Sequence, residues 1–433
     1  MTTGTRSRAT GGRGRATLTF VGASLTGAVL IAACGDSSSS GTSTVATSTG
    51  PVATAPPESS ETPSSDSTED TTLVTAPDSE RVDLAEPTFT NPTAVTNPRF
   101  PIAELEQVIQ LGEEAGAALR IEVTLLPETK VIEWNGQQVE TLVSQFVAYE
   151  DGQVLEVAVD FFAQADDGAV WYFGEDVANY VDGVVDNTEG TWLAGKDGPP
   201  GMIMPANPQV GDVYRPENIL GFVFEEVTVK SVDETVDGPT GPVEGAIIVQ
   251  ERLMDGLLED KTFAPGYGEF FFAVEAEQEV VDMALAVPPD AVTGDLPAEL
   301  ATISSGVEDI SAAVAADDAE AVSAAVDTIA MAWETHRVGD VPLRLEEQMT
   351  AFVDTLTAAV DAGDARAMSE AAIDVEHANL DLQLQFRPPA DVDEERLELW
   401  ARQLEVDEAA DDAAQIAGDQ VVIETIRQRI GQA

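Results

Sequence analysis

The sequence has very little cysteine, histidine and lysine. Its 433 residues include one cysteine, Cys34, and two histidines, His336 and His377. One cysteine excludes an intramolecular disulfide and a metal site built from several thiolates, so the folded part has to be held together by burial. Only four lysines occur, and they are Lys130, Lys196, Lys230 and Lys261.

Positive charge is scarce overall. The chain carries 21 Lys and Arg against 79 Asp and Glu, a formal net charge of -58. Nucleic acids and anionic membrane surfaces are polyanions, so this charge argues against both as partners. The hydrophobic content of 43% is ordinary and sufficient for a real core. At roughly 150 residues per domain, the length predicts two or three domains.

The N-terminus has the layout of a secretory signal. Arg6, Arg8, Arg13 and Arg15 precede an apolar stretch over 16–33, which is too short and too rich in Gly and Thr to favour a membrane span. The stretch ends in small residues directly before the only cysteine. Residues 31–34, Ile-Ala-Ala-Cys, resemble the lipobox of bacterial lipoproteins. The resemblance implies a signal peptide over 1–33, diacylation of Cys34 (palmitate-type), and a lipid anchor at the extracytoplasmic face of the cell membrane.

Residues 34–97 are rich in Ser, Thr, Pro and acids and show no apolar period. Such a composition cannot bury enough surface to offset chain entropy, so we expect a disordered acidic tether in the cell envelope.

Residues 98–292 predict a mainly antiparallel β domain. After a candidate helix over 101–118, apolar residues alternate with polar ones, and turn dipeptides recur at Asn135-Gly136, Asp151-Gly152 and Asp182-Gly183. This spacing is typical of an antiparallel meander, either a curled sheet or a barrel-like form.

Four motifs in this region occur in a characteristic order. They are Trp-Tyr-Phe-Gly-Glu-Asp at 171–176, Gly-Met-Ile-Met-Pro-Ala at 201–206, Gly-Asp-Val-Tyr at 211–214 and Ala-Pro-Gly-Tyr-Gly at 264–268. The set resembles a group of uncharacterised exported bacterial β-domain proteins. The resemblance implies a β fold and export, and it carries no known activity.

Residues 293–433 predict an all-α bundle. The segment that starts at Ala312 realigns with the one that starts at Ala358, 46 residues later, and Ala417-Gly418-Asp419 suggests a weaker third copy. In each copy one helix ends and an acidic residue caps the next, which predicts helical hairpins. The expected pairs are 296–316 with 319–337, 342–362 with 365–386, and 392–410 with 419–430. The fold class is therefore α+β and multidomain.

Two candidate sites follow from residue chemistry. His377 shares a helix face with Asp374 and Asp381, and Glu334 and His336 end an earlier helix, so these five residues are candidate ligands for a divalent metal. The alternative is an acidic surface that carries a histidine. Trp171 and Phe173 would line a ligand cavity, or else they fill the core of a curved sheet.

No catalytic residue is identified. The sequence has no phosphate-binding Gly-rich loop, no Gly-x-Ser-x-Gly elbow and no His-Glu-x-x-His. The leading hypothesis is a non-enzymatic, membrane-anchored protein without a cofactor that binds a small ligand or an envelope protein. The alternatives are a metal-binding or sensing bundle and a carrier of a lipid-type ligand in the β domain.

The anchor has a direct test. Cys34→Ala removes the only acylation site, and one or more acyl chains supply most of the membrane affinity of such a protein. We expect the variant to move from the membrane fraction to the soluble fraction after cell fractionation. Unchanged membrane retention would contradict lipidation.

Overall fold

The computed structural model describes residues 73–288 and 290–431. The predicted signal peptide, Cys34 and residues 34–72 of the predicted tether lie outside the described residues. From Thr75 onward the described chain forms one compact unit.

Fifteen strands make up the β part of the described chain. They are β1 (Gln107–Glu114), β2 (Ala117–Trp134), β3 (Gln137–Glu150), β4 (Gln153–Gln164), β5 (Val170–Val181), β6 (Val184–Asn187), β7 (Trp192–Leu193), β8 (Gly201–Met204), β9 (Val213–Tyr214), β10 (Asn218–Ile219), β11 (Val223–Gly238), β12 (Gly241–Leu253), β13 (Leu258–Ala264), β14 (Gly268–Val274) and β15 (Glu279–Val287).

All strands belong to one antiparallel sheet. Its order is β10-β11-β12-β13-β14-β15-β1-β2-β3-β4-β5-β6, with β7 and β8 paired to β5 and β9 paired to β11. The sheet is not closed. It is curled, because residues near its two ends, such as Phe161 and Trp171 on one side and Val227 and Ile247 on the other, belong to one buried core. The expectation of a curled antiparallel meander is confirmed.

The predicted hairpin turns are present. Asn135-Gly136, Asp151-Gly152 and Asp182-Gly183 connect consecutive strands, and both residues of each pair have positive φ. This is the type I′ geometry, whose twist matches that of the flanking strands, and Asn, Asp and Gly tolerate it best.

The helix predicted over 101–118 is wrong. Only Ile102–Glu104 forms a short 3-10 turn, and β1 and the start of β2 occupy the rest. Ala115 and Gly116 both have positive φ and connect the two strands. Five consecutive residues of β1, from Gln107 to Leu111, are buried. A short apolar run of this kind does not distinguish a helix from a fully buried strand.

Residues before Asn97 also pack on the sheet, although the sequence places them in the tether. Val95 is fully buried, and the Phe89 ring lies 5.5 Å from that of Phe173, edge to face. The Val82 amide donates to the Val213 carbonyl at 2.9 Å. These contacts join residues far apart in sequence, so local composition does not reveal them.

Six helices follow the sheet. They are α1 (Ala298–Ala315), α2 (Ala319–His336), α3 (Leu343–Ala362), α4 (Ala365–Gln383), α5 (Pro389–Ala410) and α6 (Ala413–Arg429). The expected all-α region of helical hairpins is confirmed, and its change of composition near 293 coincides with the change from strand to helix.

The repeat is visible in the hairpin turns. Asp318, Asp364 and Asp412 each cap a helix by accepting hydrogen bonds from backbone amides of its first turn, and a residue with positive φ precedes each of them. The third turn therefore lies at Asp412, earlier than the predicted Ala417-Gly418-Asp419. Gly418 is inside α6, where it comes close to the β5–β6 turn.

A network of buried charges joins the helices to β2. Arg120 and Glu122 of β2 form one network with residues of α4, α5 and α6, in which the N–O distances are 2.5 to 2.9 Å. The network consists of the cations Arg120, Arg396 and Arg429 and the anions Glu122, Asp381 and Asp393. Three positive charges thus face three negative ones, and the network is neutral. The neighbouring charges lower the pKa of Glu122 far below its usual range, against the effect of burial.

Arg429 is the clearest test of this network. Its guanidinium binds both carboxylate oxygens of Asp393 at 2.7 Å and Glu122 at 2.7 Å. Arg429→Met leaves these carboxylates without that cation, and we expect a loss of about 3–5 kcal/mol in the free energy of unfolding. Urea unfolding measures it, with Arg427→Met on the exposed face of α6 as the matched control. Equal stability of the two variants would contradict a structural role for the network.

Candidate binding pocket

An open pocket lies between the curled sheet and the segment that leads into β1. Its empty space is about 600 Å³ when the open solvent at the mouth is counted, and the volume in which a water molecule can be centred is about 60 Å³. Most of its wall is apolar, and it is lined by Phe100, Pro101, Ile102, Leu105, Val108, Val123, Leu125, Phe162, Ile203, Tyr267 and Gly268, together with the polar residues Gln110, Ser144, Asp160 and Glu269. A concave, mostly apolar site with a few polar groups is typical of small-molecule binding.

The sheet register explains how the polar residues reach the pocket. Leu125 of β2 pairs with Ser144 of β3, which pairs with Asp160 of β4. Residues that pair directly across antiparallel strands point to the same face, so these three side chains form one row. Phe162 lies two residues after Asp160 on the same face, and its ring contacts that of Phe100 at 5.0 Å.

Two of the polar atoms have no hydrogen-bond partner among the described residues. They are the Ser144 Oγ and the Gln110 Oε1, and both side chains are almost completely buried. The Gln110 Nε2 donates to the Glu269 carbonyl at 3.0 Å, which fixes the direction of the amide. A buried polar atom without a partner costs free energy, so each of these two atoms requires a water molecule or a ligand group as its partner.

Buried carboxyl groups continue behind the pocket, inside the sheet. The cation Lys261 lies there, 2.6 Å from Glu251, 3.3 Å from Glu259 and 3.6 Å from Glu269. Glu217 accepts a hydrogen bond from the Trp192 Nε1 at 2.6 Å. Together with Asp160 and Glu225, these acids form what we term the acidic interior: Asp160, Glu217, Glu225, Glu251, Glu259 and Glu269, all less than a tenth exposed.

Burial raises the pKa of these acids. Loss of hydration raises the pKa of Asp160 to about 7, although the Tyr172 hydroxyl donates to it at 3.1 Å. Burial also raises the pKa of Glu269 to about 7 against the attraction of Lys261, and that of Glu217 to about 8. The pKa of Glu225 rises well above its usual value through burial and the charge of Glu251.

The acidic interior is therefore unlike the neutral network on β2. The network matches every carboxylate with an arginine, whereas the acidic interior has one lysine for six carboxyl groups. No Lys or Arg of the described chain forms an ion pair with Asp160, and burial is the largest effect on its pKa. A buried carboxyl group without a cation takes up a proton or pairs with a positively charged group, and either one neutralises it.

Trp171 and Phe173 do not line this pocket. Both are buried in the main core of the sheet. The Phe173 ring packs edge to face on Phe89 at 5.5 Å and on Trp134 at 6.4 Å. The core-filling alternative describes both residues, since the inner face of a curled sheet has to be filled by large side chains.

The two histidines have separate environments. His336 ends α2 beside Trp333, with Glu299 as the charge that acts on it, and burial lowers its pKa. His377 is half-buried on α4 against Trp400, and loss of hydration together with the charge of Arg120 lowers its pKa to about 4.

The structure does not bring the five predicted metal ligands into one site. Asp381 is bound by Arg120 and Arg396 in the network on β2. Asp374 is half-buried beside Glu370, and burial raises its pKa to about 6, while Glu334 pairs with Arg337 at 3.1 Å. Across residues 73–288 and 290–431, no three His, Cys, Asp or Glu side chains are arranged to hold a metal ion.

None of the helices in the described chain combines the length and the apolar character that a bilayer crossing requires.

No protein-family model, curated protein or solved structure matches the sequence. The pocket geometry is therefore the main guide to function.

One pocket residue, Asp160, could have been recognised from the sequence, although the sequence analysis did not name it. In β4, Asp160 follows Val157-Ala158-Val159 and precedes Phe161-Phe162, so it is an acid within an apolar run. Ser144, Gln110 and Glu269 have no comparable signal, because polar residues at such positions alternate along any half-exposed strand.

The acidic interior predicts a pH dependence of stability. An acid whose pKa is higher in the folded state than in the unfolded state stabilises the fold at low pH, and this contribution is lost as the pH rises through the folded pKa. Glu217 has a pKa of about 8, so it loses its proton in the folded state between about pH 6.5 and 8. His377, whose lowered pKa makes stability rise with pH, has completed its titration below this interval. We expect the melting temperature to fall over this range.

Glu217→Gln should reduce that fall, because the amide oxygen can still accept from Trp192 and no longer titrates. Glu189→Gln, at an exposed acid, is the matched control. A melting temperature that is constant or rises between these pH values in the unmodified protein would disprove the assignment.

Proposed function

We propose that this protein is a non-enzymatic, extracytoplasmic lipoprotein that binds a small amphipathic ligand in the pocket of its β sheet. The observation that carries the proposal is the open apolar pocket with the unpartnered Ser144 Oγ and Gln110 Oε1 at its base. The apolar wall would hold the body of the ligand, and the two polar atoms would orient its head group.

The N-terminal resemblance supports the location. Acylated Cys34 would attach the chain to the lipid membrane, and the acidic residues before the described part would keep the folded unit away from anionic surfaces. The net charge of -58 is unfavourable for nucleic acid. A small ligand from the cell envelope fits this location better than a cytoplasmic partner.

The sequence also suggests a lipid carrier and a metal-binding helical bundle. A carrier of a lipid-type ligand agrees with the apolar wall and is one form of the present proposal. A divalent metal in the helical bundle would need a donor set from the five candidate residues, and the pairing of Asp381 with two arginines speaks against it. An envelope protein as partner is not favoured by a specific observation.

The proposal is tested by filling the pocket. Leu105 lines the pocket, is 8% exposed and lies between the 3-10 turn and β1, outside the regular strands. We expect the unmodified protein to bind a neutral fluorophore such as prodan with one site per chain, and Leu105→Trp to weaken the binding at least about tenfold by displacing it.

Leu84→Trp is the matched control, because Leu84 is about half exposed and does not line the pocket. Thermal melting of all three proteins shows whether they are folded. Binding that survives in Leu105→Trp, with its melting transition intact, would contradict the pocket as the ligand site, as would the absence of any binding to the unmodified protein.

A further inference from the structure

The charges around the pocket define the chemical class of its ligand, on the assumption that the proposed binding function holds. We propose that the head group of the ligand is a protonated amine that pairs with Asp160, with its remaining N–H groups donated to Ser144 and Gln110. The ligand is thus a small cationic amphiphile.

The first argument is the hydrogen-bond inventory of the pocket base. The Gln110 Oε1 can only accept, and the direction of the amide is fixed by the bond from its Nε2 to the Glu269 carbonyl. Ionised Asp160 also only accepts, and one of its oxygens already accepts from Tyr172. The Ser144 Oγ can do both. A head group that satisfies all three has to be a donor with several N–H groups, which an ammonium group supplies.

The second argument is charge. Asp160 and Glu269 line the pocket, and the acidic interior behind them has Lys261 as its cation, which is already shared by Glu251, Glu259 and Glu269. A carboxylate or phosphate head would face two buried acids and would find no free cation among the lining residues. A cationic head would pair with Asp160, which has none.

The third argument is the apolar wall beside the acids. Ile102, Leu105, Val108, Phe162 and Ile203 line the same pocket as Asp160. A bare inorganic cation would leave this surface wet, and the described residues hold no donor set for a metal ion. An amine with an aliphatic or aromatic body covers the apolar wall with its body and pairs with Asp160 through its head group.

The experiment compares three ligands with the same chain and different heads: octylamine, octanol and octanoate. Each displaces prodan from the full-length protein in detergent-free buffer at about pH 8, where octylamine is cationic and Asp160 is mostly ionised. We expect octylamine to bind about tenfold more tightly than octanol, as a charged hydrogen bond is stronger than a neutral one, and octanoate to bind most weakly.

Asp160→Asn tests the assigned contact. The amide keeps the acceptor for the Tyr172 hydroxyl and has the same shape but no charge, so we expect the preference for octylamine over octanol to disappear. Asp176→Asn is the matched control, since Asp176 lies on the neighbouring strand β5 with an exposed side chain. It should keep the preference.

The outcomes separate the two proposals. If octanol or octanoate binds as well as octylamine, or if Asp160→Asn keeps the preference for octylamine while it is folded, the amine assignment is overturned and the binding pocket stands. If prodan binds and none of the three ligands displaces it, the amine assignment also fails. If prodan itself does not bind, the proposed function fails first.

Discussion

The structure depends on how buried charge is neutralised between the sheet and the helices. Arg120 and Glu122 extend from β2 into a neutral network with Asp381, Asp393, Arg396 and Arg429. Each of these ions is expensive to remove from water, and each becomes tolerable only because the others are present with good geometry. Apolar contacts are compatible with many positions of a helix, whereas a bidentate pair between arginine and carboxylate forms in very few of them. The network therefore helps to position α4, α5 and α6 on the sheet, while α3 meets β15 directly through Arg344 and Asp282.

The same constraint acts differently inside the sheet. There the acids outnumber the cation Lys261, and burial holds part of them protonated near neutral pH. Protons thus supply part of the positive charge that this interior lacks. Asp160 and Glu269 line the pocket as well, and the proposed ammonium group would take the place of those protons. The network at the helix interface has as many cations as anions, whereas the acidic interior has more acids than cations. We assign a structural role to the first and a binding role to the second.

Local sequence patterns predicted a large part of the fold. Type I′ turns at Asn135-Gly136 and Asp151-Gly152 and caps at Asp318 and Asp364 are decided within a few residues, so their signals survive without tertiary context. The failures share a cause. In the segment 101–118 the five residues from Gln107 to Leu111 are all buried, so the period of two is lost there, and the residues before Asn97 are held by contacts with distant strands. The pocket residues come from several strands, and no local pattern relates Gln110 to Asp160.

By itself the sequence determined the class of fold, the order of a curled meander and helical hairpins, the strong negative charge and the motif around Cys34, because composition, period and turn chemistry act over short distances. Tertiary structure alone decided which acids are neutralised. His377, Asp374 and Asp381 share a helix stripe in any helix, but only packing on β2 turns Asp381 toward two arginines and away from a metal. Likewise, Asp160 is one of 79 acids in the sequence, and it becomes a candidate ligand contact because the register of the sheet places it, buried and without a cation, at the base of an apolar pocket.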